Sequence, residues 1–226
     1  MPPRAHTLSS QSPPSVEGSE GIRQPQQLRG ERRVEAILDA AAAIVGEQGL
    51  PALTVQALAD RAQTSKGSLY HFFPDLRAVL CALSDRHSAA LTALSAEMIG
   101  DASIPWATLP ISEVIDRILA PLAYLKAHPD LLALARTPEA IGRSTRRLTP
   151  FRDLAAHVLQ ERCPRLAASR RLAGASTMVA MVDGVVGYAL RADDVSPDQM
   201  MLELRCALCA YLGALDECAA ASRPVG

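Results

Sequence analysis

The segment from Thr54 to Phe73 constrains this chain more than any other. Val55, Leu58, Ala59 and Ala62 fall on one face of a helix, and Leu69, Phe72 and Phe73 on one face of the next, which Pro74 ends. Few residues separate the two, so they must turn sharply and cross at a small side chain, which Ala59 supplies. Anything larger than a methyl there would hold the helices apart. Thr54 offers its hydroxyl as an N-cap. Upstream, Val34, Ile37, Leu38, Ala41, Ile44 and Val45 recur at three- and four-residue steps and Gly49 suits a C-terminal cap, which adds a third helix. Two short helices joined by a tight turn are the arrangement that lets the second enter a DNA major groove.

With its apolar residues turned inward, that second helix points Lys66, Ser68, Tyr70 and His71 outward. Lys66 is one of only two lysines, with Lys126, among 23 basic residues. From the helix start it can reach guanine O6 or N7; Ser68 can bond a phosphate or a base, Tyr70 a phosphate, and His71 a phosphate or a thymine methyl. Free amides at the helix starts near Thr54 and Ser65 add places for an anion. The formal net charge is −1, so any hold on nucleic acid must come from local clusters of Arg and Lys.

The remainder reads as helix. Asp75 is a plausible cap, and Leu76, Val79, Leu80, Leu83, His87, Ala90, Leu91, Leu94 and Met98 continue at helical spacing, so the fourth helix leaves the small unit. Further helices are expected at Ile111 to Ala127, Asp130 to Arg136, Thr149 to Arg162, Ala168 to Arg191 and Pro197 to Ala219, because period-two alternation is absent and the breaks fall at proline-containing joints. The fold class is therefore all-α. Residues 1–27, rich in Ser, Pro, Gln and Gly, read as a disordered tail; 28–75 as the DNA-binding unit; 76–221 as a helical body. At 49% apolar residues, the chain has ample material for a core.

From Arg32 to Leu83 the sequence resembles the TetR family of bacterial transcriptional regulators, with Ser65 to Pro74 (SKGSLYHFFP) the most specific part. The resemblance implies that Thr54 caps a helix at a phosphate, that Gln56 stands where a base can be read, and that Ser65, Lys66, Gly67, Ser68, Tyr70 and His71 form the recognition helix. It also implies a ligand-binding body that dimerises through its last two helices. Three residues depart from the family pattern. Gln63 replaces the usual turn glycine, which requires positive φ of a non-glycine residue. Leu76 and Arg77 replace a usual Lys-Glu pair, so Arg77 or an N-terminal arginine must supply the missing phosphate contact.

Other features are weighed against plainer readings. Arg143, Arg146, Arg147 and Arg152 suit a solvated surface better than an effector site. The five scattered cysteines read as reduced thiols, and Cys206 and Cys209 as small packing residues on one helix. A redox-responsive regulator using them, or Cys81, is the alternative reading. His87, inside an apolar stripe, reads as a hydrogen-bonded core residue. Asp183, in the apolar run Met178 to Ala189, must either pair with an arginine at a dimer interface or face a ligand cavity. Val186 and Leu208 are read as interface positions.

No nucleophile elbow, phosphate loop, H-E-x-x-H or dinucleotide fingerprint occurs, so no catalysis, metal or cofactor is expected. The sequence has no signal-peptide layout and no apolar run of roughly 18 residues, so a cytoplasmic protein with no membrane partner is expected. The reading is a homodimeric repressor that a small molecule releases from a palindromic double-stranded operator. With few aromatics, its cavity should be aliphatic, lined from among Trp106, Tyr124, Phe151, Met178, Met181, Asp183 and Tyr188.

Overall fold

The computed structural model describes residues 23–135, 144–189 and 195–221. Residues 1–22 of the expected tail, and Arg143 of the arginine-rich stretch, lie outside the described residues. Every regular element among those described is helical: α1 (Arg23–Gln48), a 3-10 turn (Leu50–Ala52), α2 (Val55–Arg61), α3 (Lys66–Phe72), α4 (Leu76–Gly100), α5 (Ile111–Leu119), α6 (Leu122–Ala127), α7 (Pro129–Ala135), α8 (Ser144–Arg162), α9 (Ala168–Ala189) and α10 (Pro197–Ala221).

Two cores organise them. The first gathers Ile37, Leu38, Ile44, Leu58, Leu69 and Phe73 from α1 to α3 with Val79 and Leu83 of α4. It forms because each short helix is apolar on one stripe only and must bury that stripe against the others. The second holds Val114, Ile115, Leu154, Leu159, Met178, Leu208 and Leu212 from the helices of the body. Helix α4 joins them: Val79 and Leu83 sit in the first, while Met98 and Ile99 pack against the second.

Helix α7 is the unexpected bridge. Its Leu134 belongs to the first core, and α7 lies against α1. Gly46 permits that approach, since a Cβ there would stand 3.2 Å from Pro129 Cγ. Close by, His87 and Asp130, 2% and 4% exposed, join α4 to α7 through Nε2 and Oδ2 at 2.7 Å. The other ring nitrogen of His87 lies 2.9 Å from the Tyr124 hydroxyl, and the Tyr124 ring stacks on His128. His87 is thus a hydrogen-bonded core residue, as its place in the stripe suggested.

Several boundaries differ from the sequence reading. Helix α1 starts at Arg23 rather than near Leu28. The expected Ile111–Ala127 helix is two, because Pro121 has no N–H to give the Arg117 carbonyl; Ala120 N–H bonds Arg117 O instead, at 3.2 Å. Helix α8 begins at Ser144, not Thr149. Helix α9 is long and apolar enough to cross a bilayer, which its interruption by Ser176, Thr177 and Asp183 had concealed; it packs against α8 and α10 and leaves one face open.

Candidate nucleic-acid interface and body cavity

The turn between α2 and α3 is built from hydrogen bonds that need positive φ. Gln63 N–H donates to Asp60 O at 3.2 Å and Thr64 N–H to Ala59 O at 2.9 Å, the paired bonds that close a helix around a left-handed residue. Gln63 is that residue, with φ of 50°. Its strain is the local consequence of lacking glycine where the sequence placed the turn. Arg33 fastens the turn to α1 by donating from Nη1 to Thr64 Oγ1 at 3.3 Å.

Both helices are capped by side chains. Thr54 Oγ1 accepts from Ala57 N–H and Ser65 Oγ from Ser68 N–H, each at 3.1 Å. These caps use the third amide of each helix and leave the first amides free for an anion. Thr54, Gln56, Ser65, Lys66, Gly67, Tyr70 and His71 are exposed, and Ser68 is half-buried. Leu69, between Ser68 and Tyr70, is fully buried, so the core fixes the direction in which its neighbours point. Tyr70 keeps 51% of its surface in solvent, an uncommon exposure for a large ring with no protein partner.

Charge separates the basic residues of this head into two groups. Arg61 pairs with Glu47 at 2.6 Å, and Arg86 with Asp39 at 2.6 Å and Glu35 at 3.4 Å, so both are engaged within the protein. Lys66 and Arg77 are exposed and have no acidic partner among the described residues. Lys66 opens α3, where a cation opposes the helix dipole, so its position favours an external anion over helix stability. Sequence reasoning missed Asp60, whose two oxygens accept from Gln56 Nε2 at 2.7 and 2.8 Å and hold that side chain along α2. The i, i+4 spacing of Gln56 and Asp60 was the available signal.

The body contains a cavity of about 70 Å³ among α4 to α10. Phe151, Met178 and Asp183 line it, with Leu91, Leu132 and Val182 among the aliphatic remainder. An open groove of about 420 Å³ continues from it, sharing Leu119, Leu122, Leu125, Leu132 and Val186 as walls. Four other expected lining residues lie elsewhere. Trp106 is buried in the second core, under Arg162, whose Nη1 donates to the carbonyls of Trp106 and Leu109 at 2.8 and 2.7 Å. Tyr124 turns to His87, Met181 lines a separate groove between α9 and α10, and Tyr188 is exposed. The expectation favoured large polarisable side chains, whereas leucines and valines on α6, α7 and α9 form much of the wall of this cavity.

The outer faces of α9 and α10 also need correction. Leu208 is fully buried within the protomer and so is not available to a partner, and half-buried Val186 lines the cavity and its groove. The open face of α9 runs through Ala173, Ser176, Ala180 and Gly184, and that of α10 through Cys206, Ala207, Ala210 and Ala214. All five cysteines are free, and burial pushes the half-buried Cys209 thiol up.

The amino-terminal model of the bacterial regulatory proteins of the tetR family matches residues 37–83, and a tetracyclin repressor-like C-terminal domain matches residues 110–212, together well over half the chain. The chain belongs to the TetR family. Its fold is shared with solved TetR-family regulators, including one from Streptomyces coelicolor at 28% identity and TM-score 0.59, over 82% of this chain and 98% of that one. One from Mesorhizobium loti has 16% identity and TM-score 0.59, over 82% and 98%. The multidrug binding protein EbrR, solved with malachite green, matches at 20% identity and TM-score 0.54, over 80% and 98%. No curated protein matches the chain. This TetR-family protein is accordingly a DNA-binding transcriptional regulator with a helix-turn-helix head, and its family is one of regulators rather than enzymes. The carboxyl-terminal match extends the likeness well past Leu83, where the sequence read residue by residue carried no diagnostic motif.

Proposed function

We propose that this protein is a cytoplasmic homodimeric repressor that holds a palindromic operator and lets go when a small molecule enters its body. The observation that carries the reading is the unpaired Lys66 at the exposed start of α3, with Tyr70 and His71 beside it on a helix pinned by buried Leu69. The recognition set is Thr54, Gln56, Ser65, Lys66, Gly67, Ser68, Tyr70 and His71, with Arg77 supplying a phosphate contact.

Dimerisation is supported by the small residues on the open faces of α9 and α10, which let helices approach closely, and by exposed Leu172, Tyr188 and Leu202 around them. An apolar face of this extent on the last two helices is suited to burial against a second copy. Two heads then read half-sites about 34–36 Å apart or a multiple of it. The cavity and its groove supply a place for a small molecule, as EbrR does for malachite green. A ligand is favoured over oxidation as the signal, because the body holds a cavity and a groove to receive one.

The test is selection of duplexes from a random pool by the purified protein. Recovered sequences should be inverted repeats, with binding that falls steeply as salt rises. A pool that stays random, with wild type no better than Lys66→Ala, would overturn the reading.

A further inference from the structure

Among the described residues, Asp183 is the one charged residue on the wall of the inner cavity, and it makes no hydrogen bond or ion pair with another of them. It lines the cavity together with Met178, Val179, Val182 and Val186 and is half-buried at the border of the open face of α9, three positions from Ala180 and seven from Ser176. The two charges along the adjoining groove are different. Asp116 is held by Arg205 at 2.5 Å, and Lys126 stands 4.0 Å from Asp198. A half-buried carboxylate facing an otherwise aliphatic space keeps part of its solvent and turns its free oxygens toward a cation that enters.

The walls narrow the kind of cation. Quaternary and delocalised cations are held by aromatic faces, and Phe151 is the single aromatic side chain lining the cavity, with none along the groove. A carboxylate without an aromatic cage instead favours an ammonium that still carries N–H groups, which it can bind by charge-assisted hydrogen bonds. The groove of about 420 Å³ is wide enough for an aliphatic body, being within the range of about 300–1,000 Å³ that small-molecule sites occupy.

We infer that the effector is an amphiphilic primary or secondary alkylamine, its ammonium on Asp183 and its aliphatic tail along the groove between α6 and the α9–α10 pair. The inference rests on the proposed release of operator by a small molecule and names the chemistry of that molecule. It also separates this protein from a sensor of aromatic dyes.

Calorimetric titration below micellar concentrations tests it, with decylamine, decyltrimethylammonium, decanol and decanoate on wild type and on Asp183→Asn. Decylamine should bind wild type at least tenfold tighter than decanol or decyltrimethylammonium, and decanoate weakest. Asp183→Asn should erase that preference, while Asp183→Glu keeps it and an unchanged melting curve shows each variant folded. Equal binding of decylamine and decyltrimethylammonium, or a preference that survives in Asp183→Asn, would overturn the assignment. Operator affinity is followed separately with the same probes. Asp183-dependent binding of decylamine with unchanged operator affinity supports the amine site and refutes the release reading. Release by decanol or decanoate and not by decylamine refutes the amine and leaves release standing.

Discussion

The His87–Asp130 bond makes a quantitative demand on stability. Its members are nearly fully buried, and the tautomer with its proton on Nε2 lets His87 donate to Asp130 and accept from Tyr124. Asp130→Ala removes a charge-assisted bond and strands that buried neutral N–H, at a cost of about 1.5–3 kcal/mol. Asp130→Asn keeps an acceptor oxygen in place and loses only the charge assistance, about 1–1.5 kcal/mol. At about 2–4 °C per kcal/mol for a chain of this size, alanine should lower the melting midpoint by about 3–12 °C and asparagine by about 2–6 °C.

The pH dependence of the same bond has a defined sign. Burial pushes the Asp130 carboxyl up, but His87, through its hydrogen bond and proximity, and the N–H groups of Leu131 and Asp130 outweigh it and hold the carboxyl below its ordinary 3.8. A depressed carboxylate contributes stability that is full above the unfolded value and lost as pH falls through the folded one. The gap between wild type and Asp130→Asn, from urea titrations followed by circular dichroism, should therefore be constant near neutrality and close in acid below about pH 4. An alanine variant no less stable than asparagine, or a gap that widens rather than closes as pH falls below about 4, would refute this account of the pair.

Lys66→Ala should weaken specific operator binding by about 1–3 kcal/mol, measured by fluorescence anisotropy on a variant of unchanged helicity and dimer mass. Gln63→Gly should raise stability by about 0.5–1 kcal/mol, because relief of about 1–2 kcal/mol of left-handed strain exceeds the entropy cost of glycine, and operator affinity should not change. Ala180→Glu and Ala210→Glu should each give folded monomers by light scattering and lose tight operator binding, since the open faces of α9 and α10 cannot bury an unpaired charge.

How much of this was legible depended on whether a residue's role is local. The turn of α2 and α3 and the cap at Thr54 follow from neighbours a few positions away and stand where the sequence put them, as does the positive φ of Gln63, which the family's turn glycine implied; the cap at Ser65 is added by the structure. Helix existence in the body was equally visible, because apolar spacing is local too. The walls of the cavity were not. Leu122, Leu132 and Val186 come from three helices whose mutual rotation is set by long-range packing, and periodicity alone does not say which apolar face meets which neighbour. Leu208 shows the same limit: a helix apolar on most sides names no inner face until its partners are in place.

The cavity and the head share two helices, and this gives the release reading its physical route. Helix α4 puts Leu91 on the cavity and Val79 and Leu83 in the head core; α7 puts Leu132 and Ala135 on the cavity and Leu134 in the head core. At about 1.5 Å of rise per residue, the eight positions from Leu83 to Leu91 span about 12 Å of stiff helix. A ligand whose part seated in the inner cavity outgrows that small space would move these walls, and on the proposed reading it then favours protomers in which α4 and α7 are displaced. The His87–Asp130 bond ties the two helices between their cavity and head ends, so they shift together rather than separately. Heads that move with them no longer match a fixed half-site spacing, and the ligand's preference for the displaced arrangement appears as lost operator affinity. The coupling is reciprocal: whatever factor the ligand removes from operator affinity, bound operator must remove from ligand affinity.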